Sequence, residues 1–284
     1  MNTPDWRVVL APQALAAGLG ASDVVVVDCR ASLADPDAGE RAWRAAHIPG
    51  ARHAHLERDL SRRGPAGEGR HPWPLAATFT ERLGTWGVSR DTRVVAYDDG
   101  DGAFAARLWC LLHMLGHARV SVLDGGWAAW TQLGLPQESA APVVVATRYE
   151  GTFDASRLLD SAGVQAHLAR GGLLLDARAS ERFRGEVEPI DAIAGHVPGA
   201  VNRPYAANLE GGRFRPAAQL RGEFEALLDG RAPHALVAMC GSGVTACHHL
   251  LAMAHAGLPG ASLYTGSWSG WIGDPGRPIA TGAG

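Results

Sequence analysis

The sequence predicts an α/β protein of two tandem domains, each a parallel β-sheet flanked by helices. At 284 residues, 46% of them hydrophobic, the chain exceeds the ordinary size of one domain. Short β-branched runs alternate with segments of helical spacing, which is typical of parallel sheets covered by helices. The second half also repeats motifs of the first half in the same order.

Four motif pairs carry this internal repeat. They are "VVVVDCRAS" (24–32) with "LLLDARAS" (173–180), "AAHIPGARHAHL" (45–56) with "AGHVPGAVNRPY" (194–205), "TRVVAYDDGDG" (92–102) with "HALVAMCGSGV" (234–244), and "VSVLDGGWAAW" (120–130) with "ASLYTGSWSGW" (261–271). Matched positions, such as Asp98 and Cys240, are 141 to 149 residues apart. The nearly constant spacing indicates a duplicated domain of about 140 residues.

The elements follow the same order in each half. Strands are predicted at 24–27, 94–97 and 120–123, then at 173–175, 235–239 and 262–264. Helices are predicted at 79–86 and 104–115, then at 219–228 and 244–255. The segments "APQALAAG" and "DASRLLDSAG" resemble helical entries, the second capped by Asp154 or Ser156. A linker rich in Pro, Gly and polar residues around 134–154 separates the predicted domains, 1–138 and 152–284.

Composition narrows the class of function. The net charge of -3 predicts no nucleic-acid or membrane partner, and all 26 basic residues are arginine. The start of the chain has no leader pattern, and no apolar run reaches membrane-spanning length, so a cytoplasmic protein is expected. Four cysteines without a CxxC pair predict neither a disulfide framework nor a metal site.

Cys240 is the candidate nucleophile. It follows the predicted strand 235–239 at the edge of the sheet where α/β proteins form sites. The following "GSGVT" lets the backbone curl with its amides inward, and the next helix adds positive potential at its N-terminus. Both features favour the thiolate, which is the reactive form.

A cysteine at a strand end is more often a small buried hydrophobe, and we interpret Cys29, Cys110 and Cys247 in that way. Cys240 differs because of its glycine loop and because of the repeat. The matching position in the first half is Asp98, followed by "DGDGAF". One half therefore carries a nucleophile and the other carries none.

The motifs "CGSGVTAC", "HIPGA", "HVPGA", "LDGGW" and "GSWSGW" together resemble the tandem-domain rhodanese family of sulfurtransferases. The resemblance implies two rhodanese-like domains, each a parallel five-stranded sheet, with a silent first domain. It implies that Cys240 accepts sulfane sulfur as a persulfide. The donor would be a small molecule and the acceptor cyanide, a thiol or a thioredoxin-like protein, with no cofactor.

Within the family, a Gly-Ser after the cysteine is similar to the 3-mercaptopyruvate branch, whereas the thiosulfate branch has two cationic residues there. The resemblance implies a Ser-His-Asp relay that begins at Ser242 and continues to His71 of "GRHPWP". Its acidic member is either Glu57 or Asp59 of "HLERDL", and the sequence leaves both open.

The resemblance implies that Arg182 binds the donor, because it matches an arginine of the family that points at the substrate, and a guanidinium group pairs with anions. Backbone N–H groups of the loop residues Gly241, Gly243, Val244 and Thr245 are expected to bind the donor as well. The 3-mercaptopyruvate branch has a second arginine in a "PEPR" segment. This chain reads "EPID", so Asp191 or its neighbour stands in place of that guanidinium. The departure leaves thiosulfate or another sulfane donor open.

Two other functions fit the sequence less well. A cysteine-dependent phosphatase needs Cys-x5-Arg to grip phosphate, but the sixth residue after Cys240 is Ala246. A non-catalytic rhodanese-like binding or regulatory module needs no nucleophile, yet Cys240 and the whole "GSGVT" loop are present. Sulfur transfer is therefore the predicted function.

Overall fold

The computed structural model describes residues 6–65 and 67–283. These residues form two compact units. Unit 1 comprises residues 6–62, 74–154 and 211–214, and unit 2 comprises 63–65, 67–73, 155–210 and 215–283. The short segment that holds His71 is therefore part of unit 2.

Unit 1 contains one five-stranded sheet. Its strands are β1 (Val9–Leu10), β2 (Val24–Asp28), β3 (Arg52–His53), β4 (Arg93–Tyr97) and β5 (Val120–Leu123). Its helices are α1 (Pro12–Gly18), α2 (Ala38–Ala45), α3 (Ala76–Thr85), α4 (Ala105–Met114) and α5 (Gly126–Gln132). The strand order is β1-β5-β4-β2-β3 and every pairing is parallel. The central strand β4 ends at Tyr97, so Asp98 begins the loop beyond the carboxyl end of the sheet.

Unit 2 has the same plan. Its sheet strands are β6 (Leu158–Leu159), β7 (Leu173–Asp176), β8 (Ala200–Asn202), β11 (Leu236–Met239) and β12 (Ser262–Tyr264). Between β8 and β11 in the chain lie the short strands β9 (Leu209–Glu210), which belongs to unit 2, and β10 (Arg213–Phe214), which belongs to unit 1. Its helices are α6 (Ser161–Ala169), α7 (Ser180–Phe183), α8 (Ala217–Leu228), α9 (Ala246–His255) and α10 (Ser267–Trp271). The parallel order β6-β12-β11-β7-β8 puts β11 at the centre.

Continuous apolar runs become strands here because helices cover both faces of each sheet. The core of unit 1 includes Val26, Val95 and Trp130, and the core of unit 2 includes Leu174, Val237 and Trp268, all at most 3% exposed. The predicted α/β class with a five-stranded parallel sheet in each half is confirmed.

The six predicted strands agree with the observed ones to within a residue at each end. One local prediction was wrong: the helix that starts within "DASRLLDSAG" begins at Ser161, and its cap is Asp160 rather than Asp154 or Ser156. The Asp160 side chain accepts a hydrogen bond from the Gly163 amide at 2.8 Å. Residues 158–159 form β6 instead, because their backbone pairs with β12.

Candidate active site

Cys240 lies directly beyond the carboxyl end of β11 and is 1% exposed. Its backbone N–H donates to Ser267 Oγ at 3.1 Å, and its carbonyl accepts from the Trp268 amide at 2.9 Å. The Gly241 carbonyl accepts from the Ser269 amide at 2.9 Å. The first turn of α10 thus holds the start of the loop in place.

The loop then curls back over the sulfur. Gly243 has φ 81°, in the left-handed region that favours glycine, and its amide donates to Cys240 Sγ at 3.1 Å. Helix α9 begins three residues later, at Ala246. An N–H donor and a helix N-terminus both stabilise negative charge, so this loop suits a thiolate or a sulfur-bound anion.

Val244 and Thr245 complete the loop. Val244 is 3% exposed, and Thr245 is the residue before the first helical one. Their carbonyls accept from Cys247 and His248 at 3.1 Å, so the backbone is already helical there. Amides in the first turn of a helix have no intrahelical partner, which makes this turn a place where an anion binds.

Ser242 and His71 lie together within unit 2. Ser242 Oγ is 2.8 Å from His71 Nδ1, and the two residues are 5% and 6% exposed. The segment that carries His71 packs closely against α10: a Cβ on Gly69 would lie 2.5 Å from the Gly266 carbonyl oxygen. The next amide, of Arg70, donates to Ser269 Oγ at 3.1 Å. A hydroxyl and an imidazole at this distance can move a proton between them.

Glu57 and Asp59 belong to unit 1. The Asp59 carboxylate accepts from the His55 amide at 2.8 Å and pairs with Arg82 at 2.9 Å. Glu57 is exposed, and its backbone amide donates to His55 Nδ1 at 3.1 Å. Which of the two completes a relay to His71 stays a prediction.

Arg182 is at the end of α7 and is 16% exposed. Its guanidinium pairs with Glu188 at 2.7 Å and with Asp191 at 3.2 Å. A Cβ on Gly241 would lie 3.5 Å from Arg182 Nη2, so this guanidinium borders the residue after Cys240. The predicted donor-binding arginine therefore lies beside the loop, held there by two buried carboxylates.

Sequence reasoning missed Arg70. Its Nη2 would be 3.1 Å from a Cβ on Gly241, closer than Arg182, and its Nη1 pairs with Asp191. The signal was available in "GRHPWP", where Arg70 directly precedes His71. Asp191, read from the sequence as the replacement for an arginine, contacts two of them.

Two negative findings concern the described residues, 6–65 and 67–283. They contain no group of three or more His, Cys, Asp and Glu side chains arranged to hold a metal ion. None of their helices combines the length and the apolar character that a membrane crossing requires.

Comparison with known proteins gives concordant results. A family model described as "Rhodanese-like domain" matches residues 11–133 and 157–274. A protein of Pseudomonas aeruginosa named "Probable 3-mercaptopyruvate sulfurtransferase" is 53% identical over 280 residues, covering 96% of this chain and 98% of that protein. The thiosulfate sulfurtransferase of Bos taurus is 36% identical over 234 residues, 80% of this chain and 77% of that one.

A solved structure agrees with these relatives. The 3-mercaptopyruvate sulfurtransferase from Leishmania major superimposes with a TM-score of 0.81 at 33% identity. The alignment covers 93% of this chain and 74% of that one.

Proposed function

The chain belongs to the rhodanese-like family and is a sulfurtransferase, and on that premise we propose that Cys240 takes sulfane sulfur from 3-mercaptopyruvate or thiosulfate. The sulfur then passes to a thiophilic acceptor such as cyanide, a thiol or a thioredoxin-like protein. The observation that carries the proposal is the Cys240 loop: a cysteine beyond the central strand whose sulfur accepts the Gly243 N–H at 3.1 Å.

The first step forms one S–S bond and breaks one bond in the donor. With 3-mercaptopyruvate, the Cys240 thiolate attacks the donor sulfur, the C–S electron pair goes to the methylene carbon, and the donor thiol proton ends on that carbon to give pyruvate. With thiosulfate, the S–S electron pair leaves with sulfite. Both routes leave a persulfide anion on Cys240, where the Gly243 amide and the N-terminus of α9 favour negative charge.

The second step regenerates the thiolate. The acceptor attacks the outer sulfur and the Cys240–sulfur electron pair returns to Cys240, so that cyanide becomes thiocyanate and a thiolate becomes a persulfide. For 3-mercaptopyruvate, the carbon that loses sulfur needs a proton. The pair Ser242 and His71, 2.8 Å apart, supports a proton relay at that point, with Glu57 or Asp59 as its acidic member.

We also propose that the protein works in the cytoplasm. All four cysteines are free and buried, which suits a reducing compartment.

Cys240→Ser tests the proposal. Serine keeps the size of the side chain but lacks a thiolate, so transfer from both donors is expected to fall by at least about a thousandfold. Mass spectrometry of the wild-type protein after donor treatment should show a gain of about 32 Da, one sulfur atom, on the peptide that contains Cys240. Cys247→Ser is the matched control, since this buried thiol lies in α9, just after the loop, and is not the proposed nucleophile. Substantial transfer by Cys240→Ser would contradict the assignment.

A further inference from the structure

Two guanidinium groups, rather than one, border the loop that carries Cys240. A Cβ placed on Gly241 would lie 3.1 Å from Arg70 Nη2 and 3.5 Å from Arg182 Nη2. Both distances are within van der Waals contact or shorter. The two guanidinium groups therefore both lie beside Gly241, the residue that follows the proposed nucleophile. A donor that places its sulfur on Cys240 would bring its anionic end to this position.

A single buried acid holds the two arginines. Asp191, whose side chain is 3% exposed, pairs with Arg70 and also with Arg182. Glu188, 4% exposed, binds Arg182 and accepts the Asp191 amide at 3.0 Å. The "EPID" segment, which lacks an arginine of its own, therefore supplies the carboxylate that places an arginine from elsewhere in unit 2.

The two arginines differ in how firmly they are held. Arg182 is 16% exposed and contacts two carboxylates, whereas the Arg70 side chain is 31% exposed. The Arg70 backbone is anchored through its amide to Ser269 Oγ at 3.1 Å. Arg70 can thus turn its guanidinium from Asp191 to a donor anion while Asp191 keeps Arg182, so no buried carboxylate loses every cation.

Electrostatics support this neighbourhood. Burial lowers the pKa of Arg70, the negative charge of Cys240 raises it, and the positive charge of Arg182 lowers it. Cys240 and Arg182 are therefore both close enough to interact with Arg70.

We propose that Arg70 is a second donor-binding residue, which grips the carboxylate or sulfonate oxygens of an anionic sulfur donor, and that Asp191 is the positioning residue for it. The inference rests on the proposed function and deepens it. It restores a second guanidinium group beside Arg182, which the "EPID" segment does not supply. The planar guanidinium group can donate two parallel hydrogen bonds to one carboxylate. A sulfur donor that carries a carboxylate should therefore gain the most affinity from Arg70.

The test is steady-state kinetics with 3-mercaptopyruvate and thiosulfate on Arg70→Ala and Arg70→Lys. Losing a charge-assisted hydrogen bond should raise KM about 10- to 100-fold for 3-mercaptopyruvate in Arg70→Ala, with kcat changed by less than about threefold. Arg70→Lys should recover part of the loss because it keeps the charge without the fork. Arg184→Ala is the matched control: Arg184 lies two residues after Arg182 in the chain, and its exposed side chain pairs with Glu186 instead of bordering the Cys240 loop.

Asp191→Asn separates positioning from folding. If Asp191 acts mainly through Arg70, the substitution should raise KM more in the wild-type background than in the Arg70→Ala background, where Arg182 still pairs with Glu188. Equal increases in both backgrounds would overturn the role of Asp191.

The mass of Cys240 after treatment with saturating donor separates this inference from the proposed function. An unchanged KM for both donors in Arg70→Ala, with Cys240 still gaining about 32 Da, would overturn the inference and leave the proposed function intact. If wild-type Cys240 gains no sulfur from either donor, the proposed function fails and the inference falls with it.

Discussion

The loops after β4 and after β11 share the same backbone hydrogen bonds to a helix, a frame common to both units, but they carry different side chains. In unit 1 the Asp98 carbonyl accepts the Trp127 amide at 2.8 Å, and in unit 2 the Cys240 carbonyl accepts the Trp268 amide at 2.9 Å. One residue further, the Ala128 amide donates to the Asp99 carbonyl, and the Ser269 amide donates to the Gly241 carbonyl in the same way. The duplicated sequence thus builds the same attachment of loop to helix twice.

The supporting ion pairs are also duplicated. Arg30 binds Asp28 and lies 4.7 Å from the ring centre of Trp127, while Arg178 binds Asp176 and lies 4.9 Å from that of Trp268. All four charged side chains are at most 4% exposed. A buried ion pair with an aromatic cover holds the strand end next to the loop in each unit.

The side chain at the head of the loop makes the difference. The Asp98 carboxylate accepts four backbone amides at 2.9 to 3.1 Å, those of Gly100, Gly102, Phe104 and Ala105. Cys240 Sγ accepts the Gly243 amide. In unit 1 a carboxylate therefore accepts the backbone amides of its own loop, whereas unit 2 has the thiol of the proposed nucleophile at the same position.

The first residues of α5 and α10 show the same contrast. Gly126 has φ 51° and Ser267 has φ 50°, but a Cβ on Gly126 would lie 2.5 Å from the Asp98 carbonyl oxygen. Unit 2 has a serine there, and its hydroxyl accepts the Cys240 N–H. The comparison teaches that the frame is common to both units, while the chemistry depends on a few side chains placed in it.

The largest effect is expected from a substitution in the loop after β4, which begins at Asp98. Asp98→Ala removes the acceptor of four buried amides and should lower the free energy of unfolding by about 2–4 kcal/mol at pH 5. Urea unfolding followed by circular dichroism measures the change. Asp99→Ala is the matched control because Asp99 is adjacent and exposed, and it should cost less than about 1 kcal/mol. Equal losses in the two variants would contradict the role given to Asp98.

The second prediction concerns pH. Burial, with the nearby charge of Asp101, raises the pKa of Asp98 from 3.8 to about 6. The folded protein therefore holds a proton that the unfolded chain releases, and this contribution to stability is full below about pH 4 and is lost as the pH rises through about 6. It amounts to about 3 kcal/mol.

Asp98→Asn has no carboxyl group at this position, so its free energy of unfolding should change less between about pH 4 and pH 7. Unfolding curves of wild type and variant across that range measure the difference. Parallel pH profiles would show that Asp98 does not titrate there.

The smallest effect is expected from a substitution in the loop that carries Cys240. Ser242→Ala should lower kcat for 3-mercaptopyruvate about tenfold, equivalent to about 1.4 kcal/mol, because that reaction needs a proton on carbon. Thiosulfate releases sulfite without such a proton, so its kcat should fall by less than about threefold. Turnover of both donors by one preparation gives the ratio directly. Equal losses for the two donors would argue against a relay through Ser242.

Much of the fold could be predicted from the sequence. β-branched runs such as "VVVVD" have few alternatives to a buried strand, and their alternation with helical segments leads to a parallel sheet. The shortest strands, such as Val9–Leu10 and Leu158–Leu159, carry too little local pattern to be identified. Their pairing with β5 and β12 depends on residues more than 100 positions away.

The sequence by itself determined the duplication, the position of Cys240 beyond a strand, and the asymmetry between Asp98 and Cys240, because these depend on neighbours in the chain. Only the tertiary structure decided that Ser242 lies 2.8 Å from His71, and that Arg70 and Arg182 meet at Asp191 beside Gly241. Those contacts join residues that are 9 to 171 positions apart. Their geometry follows from how the loops pack on α10, which no local pattern of residues encodes.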